Sequence, residues 1–269
     1  MTTVLLDSSS TIEINLDKPA AIDAFFIFGI HKCGSSLLNK LMVDICRINQ
    51  IPDVPIPELA FEQSIPTEAW DNCADLNSTI LDGYCHRGYR HFPMFLAENK
   101  ILNQRKKILL VRDPRDAIVS SYFSFAKSHI LPDSGKLRDN MLKTREDMNR
   151  TEMEGFCIAQ GPKVKAAFNR FDDYLNNNEL LKVYRYEDVI FDKRNWIKDI
   201  VDYLGLTLRP VQIQRIAKRH GFIPQVENAS RHIRKVKPGD HIEKLTSQCI
   251  ARLNEQLAPV LDRYNYSRT

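Results

Sequence analysis

Hydrophobic residues along the chain fall into two kinds of run. The stretch 24–30 (AFFIFGI) is continuously apolar up to a glycine, as expected of a strand buried on both faces of a parallel sheet. From Ser35 the period changes: Leu37, Leu38, Leu41, Met42, Ile45 and Ile48 recur at helical spacing. Together they predict strand, loop, helix. KKILLVRDPRDAIVSSYFSFA repeats the arrangement, with a strand over 108–111, Asp113 placed to cap a helix and Pro114 suited to its first turn.

Further along, VKAAFNRFDDYLNNN predicts a helix, LKVYRYEDV (181–189) a strand, 196–204 and 211–219 helices, and 243–264 a mainly helical end with a kink at Pro259. The Pro-rich stretch IPDVPIPELAFEQSIP reads as an irregular surface connection, because each Pro removes an amide donor and restricts its predecessor. Segment 131–151 is polar and highly charged, and reads either as a lid or as a solvated helix and loop. Strands alternating with helices imply an α/β fold: one three-layer domain over 1–269, a central mostly parallel sheet flanked by helices, and 1–22 as an N-terminal extension.

Composition narrows the class. Apolar residues make up 43% and charged residues 27% of 269, the profile of an ordinary globular chain. No run approaches the roughly 18 apolar residues of a membrane span, and the start lacks a signal-like pattern, so a cytoplasmic protein without a membrane partner is expected. The six cysteines form no CxxC pair and no metal-ligand spacing with His, which predicts reduced, mostly buried thiols and no metal. A net charge of +4 is too small to imply nucleic-acid binding, yet it suits an anionic ligand.

The first strand-to-helix loop, HKCGSS, is where such a ligand fits. Helix N-termini present backbone amides without intrahelical partners and the positive end of the dipole. Gly34 lets the backbone approach closely, and Ser35 and Ser36 add hydroxyls. The loop is not a Walker A sequence, since Ser35 stands where that motif has its lysine. Nor is it a Cys-phosphatase loop, since Asn39 stands where that chemistry has Arg. Cys33 reads as a small turn residue whose pKa the helix and Lys32 could lower. At the second junction Arg112 ends a strand and Ser120 follows on the next helix; a guanidinium and a hydroxyl there could hold a second phosphate. Equally, Arg112 could pair with Asp113 or Asp116 while Ser120 only packs.

These residues resemble the sulfotransferases that use 3′-phosphoadenosine 5′-phosphosulfate (PAPS). The family's PKSGT[ST] loop is matched at Lys32, Gly34, Ser35 and Ser36, its Arg and following Ser at Arg112 and Ser120, and its YED at Tyr186. Its late RKGxxGDW loop is matched in part by RKVKPGDH, at Arg234, Lys235, Gly239 and Asp240, with Val236 and His241 replacing Gly and Trp. The resemblance implies a P-loop-like, sulfotransferase-type fold and transfer of a sulfuryl group to a hydroxyl or amine of a small molecule, releasing 3′-phosphoadenosine 5′-phosphate (PAP) with no metal required.

The same resemblance assigns roles. Lys32 would hold the bridging oxygen, with Cys33, Gly34, Ser35, Ser36 and Leu37 around the 5′-phosphate. Arg112 and Ser120 would hold the 3′-phosphate, Tyr186 would lie near the adenine, and Arg234, Lys235 and Gly239 would complete the nucleotide site. The family's animal cytosolic branch has its basic His in a THLP context, matched by RHFP at His91, with His31, His86 or an acidic side chain as alternatives. Segments 52–70, 82–95 and 131–155 would line the acceptor pocket. Two other readings stand beside this one: a P-loop nucleotide kinase, and a non-enzymatic binder using RHIRKVK as a nucleic-acid patch.

Overall fold

In the computed structural model, which describes residues 2–6, 10–124, 136–149, 151–175, 179–221 and 237–268, seven strands form. They are β1 (Thr2–Leu5), β2 (Thr11–Ile14), β3 (Phe25–Gly29), β4 (Asp53–Val54), β5 (Cys85–Tyr89), β6 (Lys106–Val111) and β7 (Leu181–Arg185). The first helices are α1 (Ser35–Ile48), α2 (Ile56–Glu62), α3 (Thr67–Trp70), α4 (Lys100–Gln104), α5 (Pro114–Phe123) and α6 (Lys136–Asn149). They are followed by α7 (Met153–Leu175), α8 (Tyr186–Val189), α9 (Lys193–Leu204), α10 (Pro210–Arg219), α11 (Asp240–Lys244) and α12 (Ser247–Arg263).

Strands β3 to β7 form a five-stranded sheet in the order β4-β5-β3-β6-β7, and every pairing in it is parallel. The alternation of strand side chains divides the core into two layers. Phe25, Ile27, Ile108 and Leu110 pack against Leu41 and Ile45 of α1, Ile197 of α9 and Ile216 of α10. On the other face, Phe26, Phe28, Leu109 and Val111 meet Ile118 of α5, Phe171 of α7 and Leu257 of α12. Phe28 is fully buried, with ring centroids of Tyr89, Phe92 and Phe171 at 5.5, 6.0 and 5.7 Å. Full burial of such a side chain contributes about 1.5–3 kcal/mol. The continuous apolar runs are thus strands covered on both faces, as their composition predicts.

From β3 the chain moves to β4 and β5 on one side and to β6 and β7 on the other. The order therefore reverses beside β3, and the loops after β3, β5, β6 and β7 meet outside the carboxyl edge, where parallel sheets hold their ligands.

Several expectations are corrected. The Pro-rich stretch is not irregular: it contains β4 and α2, with Pro57 in the first helical turn, where its missing amide costs no intrahelical bond. The strand expected over 181–189 ends at Arg185, and Tyr186–Val189 turns helical. β5 escaped the pattern because its sequence, CHRGY, carries polar side chains although all five residues are buried. Arg87 is accommodated there by ion pairs with Asp53 and, at 2.7 Å, with Glu58. Within 1–22, β1 and β2 form an antiparallel hairpin that sinks Val4, Ile12 and Ile14 into the core. Of the segment 131–151, helix α6 is described, while 131–135 and 150 lie outside the described residues. No helix among the described residues is long and apolar enough to cross a membrane.

Candidate functional site

The loop after β3 is tied to both neighbouring strands. The Ile30 amide donates to the Leu110 carbonyl at 3.1 Å and the His31 amide to the Arg90 carbonyl at 3.2 Å. Lys32 adopts a left-handed backbone at φ 65°, so the loop doubles back before α1. Gly34, the N-cap of α1, has φ 91° and no side-chain cap; the Leu37 amide turns back to the Gly34 carbonyl at 2.9 Å, and no cap side chain covers the Ser35 and Ser36 amides ahead of it, where an external acceptor could bind. Ser35 is buried, Ser36 exposed, and Lys32 and Leu37 are half-buried. Cys33 is fully buried, and burial pushes its thiol well up, outweighing the lowering effect of Arg112. Cys33 is thus the small, buried turn residue that the sequence suggests, and the lowering that a helix end and Lys32 could bring is outweighed by desolvation of a thiolate.

Gly34 also explains how the second junction reaches the first. A Cβ there would lie 2.8 Å from Cδ2 of Tyr186, so the ring packs directly on the loop backbone. Over the same ring lies Arg112, its Cζ 4.8 Å from the centroid, a cation–π contact. Arg112 is only 6% exposed, and its Nε has no hydrogen-bond partner. Burial works against its charge, but Asp116 first and Tyr186 next overcome that and keep the guanidinium protonated. Asp113 caps α5, accepting from the Arg115 amide at 2.9 Å, and pairs with the Arg115 side chain. Arg112 pairs with Asp116 at 3.3 Å. Ser120 is half-buried on α5 and stands one turn beyond Asp116, hence on the same helix face.

His91 lies just past β5. Its Nε2 is 3.1 Å from Oδ1 of Asp71 and its ring 5.1 Å from that of Trp70. Asp71 is held in place by Arg170, whose Nη2 donates to both carboxylate oxygens at 2.8 and 2.7 Å. Burial lowers the His91 pKa; Asp71 opposes this and Arg170 adds to it. His86, one of the alternative bases, is a core residue. It is fully buried against Phe26 at 4.9 Å, with Nε2 3.0 Å from the Leu81 carbonyl and a pKa lowered by burial to about 4. His31 sits half-buried beside the loop.

Of the late loop, Gly239 is described, at φ 94°, and its amide donates to Asp116 at 2.8 Å. Arg234 and Lys235 lie outside the described residues. The structure thus brings together Lys32, Gly34, Ser35, Arg112, Tyr186 and Gly239. It adds residues that the sequence reading left out. Arg90 reaches Ser36 Oγ from Nη2 at 3.4 Å, Asp71 and Arg170 support His91, and Glu187 accepts from the Asp113 amide at 2.9 Å. Only Arg90 had a local signal, its place beside His91. Among the described residues, no group of three His, Cys, Asp or Glu side chains is arranged to hold a metal ion.

Residues 23–264 match the sulfotransferase domain family. A 3-alpha-hydroxysteroid sulfotransferase of Cavia porcellus is 27% identical over 209 residues, 73% of this chain and 64% of that protein. Sulfotransferase 2A6 of Rattus norvegicus is 30% identical over 142 residues, 51% of this chain and 45% of that protein. The chain therefore spans about half to two thirds of the length of these curated relatives. The crystal structure of mouse sulfotransferase SULT7A1 complexed with PAP superposes with a TM-score of 0.60 at 16% identity, covering 92% of this chain and 86% of that one, which is a likeness of fold.

Proposed function

This chain belongs to the sulfotransferase domain family, and from that premise we propose that it transfers the sulfuryl group of PAPS to a hydroxyl or amine of a small-molecule acceptor. The observation that carries this reading is Arg112: a charged guanidinium, 6% exposed, with an orphan Nε at the carboxyl edge of the sheet. A buried donor without a partner is costly unless a ligand satisfies it. Its contact with Tyr186, which in turn touches Gly34, joins it to a second anion cradle. Two separate anion grips bridged by an aromatic ring fit a nucleotide charged at both its 5′ and 3′ ends.

When bound, PAPS supplies the sulfuryl group, and the chain supplies position and charge. The Ser35 and Ser36 hydroxyls and the first amides of α1 hold the 5′-phosphate. Lys32 offsets the charge that develops on the leaving phosphate oxygen. Arg112 and Ser120 would hold the 3′-phosphate and Tyr186 would stand near the adenine, with Gly239 held beside Arg112 through Asp116. His91 acts as general base. With Nε2 facing the Asp71 carboxylate, that nitrogen carries the hydrogen and Nδ1 is left to take the acceptor's proton. Arg170 fixes Asp71, which in turn fixes the ring.

The acceptor is a small molecule, and the hydroxysteroid named for one relative makes alcohols the first compounds to screen. A cytoplasmic location belongs to the same proposal, supported by six cysteines that are all unpaired, as a reducing compartment keeps them. Calorimetric titration tests the cofactor: PAP should bind without metal, AMP much more weakly, and Arg112→Ala should remove the difference. Preference for ATP with Mg²⁺, or indifference to the 3′-phosphate, would overturn the reading in favour of a kinase. PAPS with an alcohol and amine panel then reads the acceptor directly.

A further inference from the structure

One carboxylate ties together two segments more than a hundred residues apart in sequence. Asp116, in the first turn of α5, is fully buried. Its Oδ2 accepts from the Gly239 amide at 2.8 Å and from Arg112 Nη2 at 3.3 Å. Its Oδ1 accepts from the His241 amide at 3.0 Å and faces His241 Nδ1 at 2.6 Å. His241 is itself buried and stands where the family pattern has Trp. A carboxylate with both oxygens engaged in charge-assisted bonds is rigidly oriented. Although burial alone would raise the Asp116 pKa, His241 first and then Arg112 hold it far below the usual carboxylate range. The anion therefore persists across physiological pH.

We propose that Asp116 is a positioning residue that, with His241, latches the end of the late loop onto Arg112, so that loop placement and recognition of a 3′-phosphate are energetically coupled. The inference rests on the nucleotide reading above. Asp116 occupies one edge of the guanidinium and leaves Nε, on another edge, without a partner. The same carboxylate sets the Gly239 and His241 backbone beside it. Loss of the latch frees Arg112 to turn and the loop end to drift. Affinity for the 3′-phosphate falls in consequence, while the 5′ cradle on α1 is untouched.

The test compares PAP with AMP on the full chain. His241→Asn keeps an amide nitrogen near the place of Nδ1; His241→Phe keeps a ring and removes the donor. With the latch at work, His241→Phe weakens PAP about tenfold and leaves AMP unchanged. In that variant the Gly239 and His241 amides exchange faster with deuterium, and His241→Asn stays within about threefold of the parent. Asp116→Asn shows the same selective loss if it folds; if it does not, the His241 pair decides alone. Equal PAP affinity in His241→Phe and the parent, or equal losses in His241→Phe and His241→Asn, would overturn the latch. Failure of the parent to distinguish PAP from AMP would instead overturn the nucleotide reading, while the amide exchange of the same variants would still report whether the latch exists.

Discussion

Replacing Gly34 by Ala tests how closely the two halves of the site are joined. Two costs combine at this position. The backbone sits at φ 91°, in a region that costs an L-residue about 1–2 kcal/mol. The new methyl would lie 2.8 Å from Cδ2 and 3.0 Å from Cε2 of Tyr186, an overlap of the kind that costs typically about 1–3 kcal/mol in a packed interior. Tyr186 cannot yield freely, because it is 7% exposed and carries Arg112 over its face at 4.8 Å. A total loss of about 2–5 kcal/mol is expected, read by urea unfolding followed by tryptophan fluorescence. PAP affinity should fall with it, since displacing the ring displaces Arg112. Tyr186→Ala in the same background removes the overlap and leaves the backbone cost, so the double variant should be more stable than the two single losses added together. A Gly34→Ala protein that loses less than about 1 kcal/mol and binds PAP like the parent would refute the reasoning.

Other expectations follow from the same geometry. Because burial lowers the His91 pKa, the neutral base persists below the ordinary imidazole value, and the acid limb of kcat/KM should lie under pH 6.5; Asp71→Asn, which removes an upward pull, should move it lower still while reducing kcat. Lys32→Ala should reduce kcat by about 10²–10³ in single-turnover assays with PAPS, with little change in PAP affinity if its task is the leaving oxygen. His86, with a folded pKa of about 4 against 6.5 unfolded, binds its proton more readily in the unfolded chain. Stability should therefore fall as pH drops from 6.5 toward 4, by about 3 kcal/mol from this group, and the slope should flatten in His86→Phe by chemical denaturation. Cys33, buried and with its thiol pushed up, should resist iodoacetamide at neutral pH until the protein is unfolded.

Wherever structure is set by neighbours in sequence, the chain alone determined it. The apolar runs that become β3 and β6 read as buried strands because desolvation of successive side chains needs no partner to be named. Asp113 and Pro114 mark the start of α5 because a cap and a first-turn proline act within four residues. The Gly, Lys and Ser loop reads as an anion cradle because helix ends carry orphan amides wherever they occur. Tertiary structure decided what depends on partners far along the chain. β5 is a strand because Asp53 and Glu58 neutralise Arg87, His91 is oriented because Arg170 fixes Asp71, and Asp116 is an anchor because Gly239 and His241 fold onto it. A buried polar group is stable only when its hydrogen bonds and charge are satisfied, and no local pattern names a partner a hundred residues away.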